Sequence, residues 1–162
     1  VGRNANLLED AFKFAKMGGT IDLTCGESES KFHSVADAVK KAKKEGVPME
    51  KVTMSSDGQG SWSNYDAEGK LVEIGVSDVD TIYRQIVYMV KEENMDFEEL
   101  LALGTKNPAM ALELYPKKGA VKEESDADIL IMNEDLSLDT VIAMGVPMMR
   151  DGKILKKGTY EK

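Results

Sequence analysis

The sequence predicts an α/β protein: helices alternate with short strands through its first third, and a small all-β element closes it. Three observations carry this. Residues 6–55 read helix, strand, helix, strand with short connections, the pattern of βα units and a parallel sheet. The octapeptide Met54-Ser55-Ser56-Asp57-Gly58-Gln59-Gly60-Ser61 then sets a carboxylate where a strand gives way to a loop. After Pro116 the texture changes to short apolar runs separated by turn residues.

Taken in order, Asn6 to Met17 carries Leu7, Leu8, Ala11, Phe12, Phe14 and Ala15 at helical spacing, with Asn4 or Asn6 as its cap and Gly18-Gly19 as its stop. Thr20 to Thr24 reads as a strand, and Cys25 to Phe32 as a polar loop. A second helix runs from His33 to Lys44, apolar at Val35, Ala38, Val39 and Ala42, with its lysines on the solvated side and Gly46 and Pro48 ending it. Val52 to Ser55 is the next strand, β-branched and apolar enough for a buried position.

Trp62 to Gly75 predicts a loop or hairpin that turns at Asp66-Ala67-Glu68-Gly69. Asp78 is the expected cap of a helix over 79–92 whose buried stripe is Val79, Ile82, Tyr83, Ile86 and Val90. Further helices are expected over 96–103 and 108–114, the latter with Pro108 in its first turn. The closing element is read as strands near 119–121, 126–132, 141–144, 147–149 and 154–155, with Asp151-Gly152 as a hairpin turn.

Composition bounds what such a chain does. With 162 residues, 42% of them hydrophobic and 31% charged, it is long enough for a real core and ordinary for a globular protein. A net charge of −8 argues against a nucleic-acid or membrane-surface partner, which call for basic patches. One cysteine, Cys25, excludes an internal disulfide framework, and with no membrane-length apolar run or leader pattern the expected compartment is a reducing cytoplasm. The first residue is Val1, so a start that was processed or cut from something longer is expected.

The candidate site is the octapeptide. At the C-terminal edge of a parallel barrel, loops and strand ends carry the chemistry, which makes Asp57 the candidate. Taken alone, Asp57-Gly58 also fits a plain turn, because Asp-Gly pairs form turns readily.

The order of these features resembles a known family. Strands ending in an Asp, a helix with Asn107-Pro108-Ala109, then Lys118-Gly119, Asp126-Ala127-Asp128, Gly145 and Asp151-Gly152 are similar to the closing pattern of the amidohydrolase superfamily. Its members are metal-dependent hydrolases on a (β/α)8 barrel with a small β-sandwich. Within it the chain looks like the C-terminal part of an isoaspartyl (β-aspartyl) dipeptidase. The closer match lies in Gly18-Gly19-Thr20-Ile21-Asp22, Ser55 to Ser61, Asp66-Ala67-Glu68-Gly69, and the tail from Gly152-Lys153 to Lys157-Gly158-Thr159.

The resemblance implies the last βα units of the barrel over residues 1–116 and closing strands of the small β domain over 117–162, an incomplete barrel. It implies two zinc ions in the full-length parent, held mostly by histidines that this chain lacks: its single histidine, His33, opens a helix and is read as solvent-facing. Asp57 is implied as metal ligand and as general acid–base. Arg3 matches the arginine of the family's His-x-x-Arg motif, in a chain that begins one residue after that histidine, and is implied as a substrate contact; Ser61, four residues after Asp57, is another. The expected substrate is an isoaspartyl dipeptide, split by a metal-activated water. The expected partners are the missing N-terminal part of the chain and further copies of it. This chain alone is expected to be inactive and to hold zinc weakly, and to expose the apolar faces of Ile21, Leu23, Val52 and Met54. Another amidohydrolase, of the D-aminoacylase or dihydroorotase type, or a non-catalytic domain that keeps the architecture, is the alternative.

Overall fold

Helix α1 (Ala5–Lys16) opens the part of the chain described by the structure, a computed structural model that covers residues 5–26 and 29–158. Ala11, Phe12 and Ala15 fall on one stripe and are buried. Asn6 lies inside the helix and does not cap it; Asn4 lies outside the described residues. The helix stops where the Gly18 N–H bonds the Ala15 carbonyl at φ +97°, a conformation that glycine adopts without strain.

Strand β1 (Ile21–Thr24) pairs in parallel with β2 (Val52–Ser55), from Ile21 opposite Val52 to Thr24 opposite Ser55. Between them runs α2 (Glu29–Lys44). It begins before the expected His33, because its first turn has partners: the Phe32 ring stacks on Tyr88 at 5.5 Å, and the Phe32 carbonyl accepts from Gln85 Nε2 at 3.0 Å. Its lysines are more than solvated charge, since Lys40, Lys41 and Lys43 pair with Glu93, Glu9 and Glu99.

The side-chain parity of the two strands corrects one expectation. Ile21, Leu23, Val52 and Met54 are covered, none more than 4% exposed, because they face the core built with the helices. The opposite face carries Asp22, Thr24, Thr53 and Ser55, as the two-residue period of a strand requires.

Helices α3 (Thr81–Lys91), α4 (Phe97–Gly104) and α5 (Lys106–Ala111) complete the helical layer. Asp80, not Asp78, precedes α3, and its side chain makes no capping bond; Arg84 draws it in at 3.1 Å and reaches Asp78 at 3.5 Å. The buried stripe is Thr81, Gln85, Ile86 and Met89, rotated from the expected one, and Val79 stays outside the helix against Gly58. Asp96, expected as the first residue of α4, instead caps it, accepting the Glu99 N–H at 2.9 Å. In α5, shorter than expected, Asn107 Nδ2 donates to the carbonyls of Met49 and Val52, both at 2.8 Å, which seats the helix on the entry to β2.

Strands β3 (Ser61–Tyr65) and β4 (Leu71–Val76) form an antiparallel hairpin, with the Asp66 carboxylate accepting the N–H groups of Glu68 and Lys70 in its turn. Trp62 lies over Gly75, where an added Cβ would stand 2.1 Å from the ring. The closing element is a four-stranded meander, β5 (Ile129–Met132), β6 (Leu138–Ala143), β7 (Val146–Arg150) and β8 (Lys153–Ile154). Met144-Gly145 and Asp151-Gly152 turn it with both residues of each pair at positive φ, the geometry that matches strand twist.

The strand expected near 119–121 is absent, and the one expected over 126–132 begins only at Ile129. That segment is instead pinned by side chains. Gly119, at φ +72°, passes so close to α5 that a Cβ would meet Ala109 at 2.8 Å. Lys118 pairs with Asp126 and Asp128, and Asp128 accepts the Met144 N–H at 2.7 Å.

Candidate active-site loop

The loop that leaves β2 is held on both sides. Upstream, Ser55 is a rung of the parallel pair, and its carbonyl accepts the Cys25 N–H at 2.8 Å. Downstream, the Gln59 N–H bonds the Ser77 carbonyl at 2.8 Å, and the Ser77 N–H bonds Gly60 at 2.9 Å. The Thr81 hydroxyl, fully buried at the start of α3, donates to the Ser56 carbonyl at 3.4 Å. Between these anchors the chain turns at Asp57, whose carbonyl accepts the Gly60 N–H at 2.9 Å.

Asp57 is exposed and left-handed, φ +52°, a region that Asp tolerates better than most residues. The two glycines are sterically required. A Cβ on Gly58 would stand 2.8 Å from the Val79 side chain; one on Gly60 would stand 2.8 Å from the Asp57 carbonyl and 3.0 Å from its carboxylate. Ser61 follows as the exposed first residue of β3, opposite Val76, so Asp57 and Ser61 belong to one continuous rim. Arg3 lies outside the described residues.

A second carboxylate was not singled out from the sequence. Asp22 stands on the face of β1 turned away from the core, and each of its oxygens takes a hydroxyl from β2: Oδ1 accepts from Thr53 at 2.8 Å, and Oδ2 accepts from Ser55 at 2.6 Å. The signal was in the alternation Ile-Asp-Leu-Thr and Val-Thr-Met-Ser, which puts three hydroxyls and one carboxylate on a shared face. Cys25, next along, is buried, and burial first, then the nearby Asp22, pushes its thiol from the ordinary 9.0 up to about 12.

The donor set does not make a metal site by itself. Among the described residues no group of three or more His, Cys, Asp or Glu side chains converges to hold an ion, whereas a zinc site takes three or four ligands. His33 is far from that role. Its half-exposed ring contacts Tyr88 Oη at 2.6 Å and lies 3.7 Å from Glu93, between α2 and α3. No described helix is long and apolar enough to cross a membrane.

A model of the amidohydrolase family matches residues 4–155, nearly the whole chain. The chain belongs to the amidohydrolase family. Among solved structures, this amidohydrolase is similar to the β-aspartyl dipeptidase of Fervidobacterium islandicum AW-1 in complex with β-Asp-Leu dipeptide: 34% identity, TM-score 0.82, over 99% of this chain and 41% of that one. A second structure of β-aspartyl dipeptidase from that organism matches at 32% identity and TM-score 0.76, over 99% of this chain and 39% of that one. N-acetylglucosamine-6-phosphate deacetylase from Pasteurella multocida shares the fold at 18% identity and TM-score 0.55, over 71% of this chain and 34% of that one. The chain thus spans about two-fifths of the length of the dipeptidases it matches. Its α/β architecture agrees with theirs, and the two parallel strands described here do not close a barrel. In this amidohydrolase the exposed Asp57 carboxylate lies two residues beyond the end of parallel strand β2.

Proposed function

We propose that this chain is the C-terminal part of an isoaspartyl dipeptidase, a hydrolase of β-aspartyl isopeptide bonds. The likeness to the two β-aspartyl dipeptidases, running over nearly all of the chain, is the observation that carries the substrate class. The held loop that presents Asp57 supports the assignment of roles.

Asp57 is the general acid–base. Its carboxylate takes a proton from the attacking water as the water oxygen bonds the isopeptide carbon, and returns it to the amine nitrogen as the carbon–nitrogen bond breaks. Arg3 offers a forked, permanently charged donor to a carboxylate of the dipeptide. Ser61 offers a hydroxyl to its polar end. Gly58 and Gly60 keep the rim free of side chains where the substrate approaches.

Zinc, two ions with Asp57 as one ligand, belongs to the proposal for the full-length enzyme, where it would make hydroxide available near neutral pH. The same proposal places the enzyme in the cytoplasm as a homo-oligomer. The deciding experiment incubates the full-length protein with β-Asp-Leu and, separately, with N-acyl-D-amino acids. Release of aspartate and leucine from the first alone is expected, and turnover of the second alone would overturn the substrate class. The isolated chain is expected to release neither.

A further inference from the structure

We propose that Asp22 is a positioning residue: it clamps the end of β2 and so sets where the Asp57 carboxylate stands. The inference rests on the dipeptidase reading for its kinetic consequence, but not for its geometry. Asp22 is the one charged residue among the eight of β1 and β2, in a structural context that disfavours Asp. Its two oxygens bond hydroxyls two rungs apart in the parallel pair, one from Thr53, its register partner, and the other from Ser55, two residues closer to the loop. Ser55 is thereby fixed twice, through its hydroxyl to Asp22 in β1 and through its carbonyl to Cys25, the residue that follows β1. Two residues later the backbone must enter the left-handed turn at Asp57. The downstream side of that turn is anchored by Ser77 and Val79. The upstream side is held at Ser56 by the Thr81 hydroxyl and at Ser55 by β1, and the side-chain anchor of Ser55 is Asp22. Loosening it lets the turn shift relative to the substrate, and small misplacements of a reacting group are costly.

The test uses the full-length protein and the variants Asp22→Ala, Asp22→Asn, Ser55→Ala and Asp22→Ala/Ser55→Ala, with β-Asp-Leu turnover and amide hydrogen exchange both measured. For Asp22→Ala, kcat is expected to fall about tenfold or more while KM stays within about twofold, the split expected of a misplaced catalytic group. Asp22→Asn, which keeps one acceptor oxygen, is expected to recover part of the loss. The double variant is expected to be no slower than the worse single one, because the two residues act through one bond. Exchange of the amides from 56 to 60 is expected to quicken in Asp22→Ala, with α2 unchanged.

An unchanged kcat with unchanged exchange would overturn the proposal. So would a KM that rises about tenfold with kcat kept, which would put Asp22 on the substrate itself, or losses that multiply in the double variant. If the parent does not hydrolyse β-Asp-Leu, the dipeptidase reading fails, and hydrogen exchange alone decides the clamp: quickened exchange sustains it and unchanged exchange removes it. If Asp22→Ala does not fold, Asp22→Asn and Ser55→Ala are read by the same criteria.

Discussion

Asp57 stands in a backbone conformation that Asp and Asn share more readily than other side chains, which makes Asp57→Asn an unusually clean substitution. The amide keeps the shape and the φ of +52° and loses the proton acceptor. In the full-length enzyme kcat is expected to drop by roughly 10²–10⁴-fold, with a much smaller change in KM, measured as aspartate release from β-Asp-Leu. A variant that keeps more than about a tenth of the parent rate would reduce Asp57 to a turn residue. Ser61→Ala supplies the contrast: it is expected mainly to raise KM, by the equivalent of ~1–3 kcal/mol for an unmet polar contact. The place of Asp57 just past a strand was legible in the sequence, because glycines and a strand announce it. The tie at Asp22 was harder to see, because the alternation that carries it is shared with Thr53 and Ser55, over thirty positions away in the chain.

At the scale of elements, the family motif Asn107-Pro108-Ala109 acquires a physical role. Asn107 is buried and satisfies two carbonyls that frame the start of β2. Asn107→Ala is expected to destabilise the protein by about 1–3 kcal/mol, read as a lower urea midpoint, because both carbonyls lose the amide donor. The segment around Lys118 is a second such tie. Lys118, and then the Met144 N–H, hold the Asp128 carboxyl below its ordinary 3.8. A lowered carboxyl contributes stability above that ordinary value and loses it as the pH falls through the folded one. Asp128→Asn is therefore expected to melt below the parent at pH 7, and the gap to close on acidification past about 3.8, followed by thermal melts at each pH. Helices and paired strands were legible wherever period and punctuation agreed, as in β1, β2, α4 and the Asp151-Gly152 turn of the meander. The start of α2 and the buried face of α3 were not, since Phe32, Tyr88 and Gln85 settle them by contacts between distant helices. The segment from 117 to 128 had apolar residues in short runs, but Lys118, Gly119 and Asp128 fix it without a ladder.

For the molecule as a whole, the faces that remain open are not those the strand pattern suggested. The helices cover the apolar side of β1 and β2, while Val72, Ile74 and Val76 along one side of β4 stay 67%, 64% and 61% exposed. A contiguous apolar row on a two-stranded hairpin favours association. The isolated chain is expected to sediment as a dimer or larger at tens of micromolar, roughly the range where such patches matter, and Ile74→Lys to shift it toward monomer. A clean monomer for the unaltered chain at that concentration would count against this.

The packing of Trp62 on Gly75 has an optical consequence. Trp62 is the sole tryptophan of the chain, and it sits one residue beyond Ser61 on the hairpin that continues the rim of Asp57. Its indole is half-shielded by a glycine that leaves room for the ring. Excited at the red edge of its absorption, where the five tyrosines of the chain do not absorb, Trp62 is therefore a native, label-free dye placed beside the loop: a shift of its emission on adding a dipeptide reports on that hairpin.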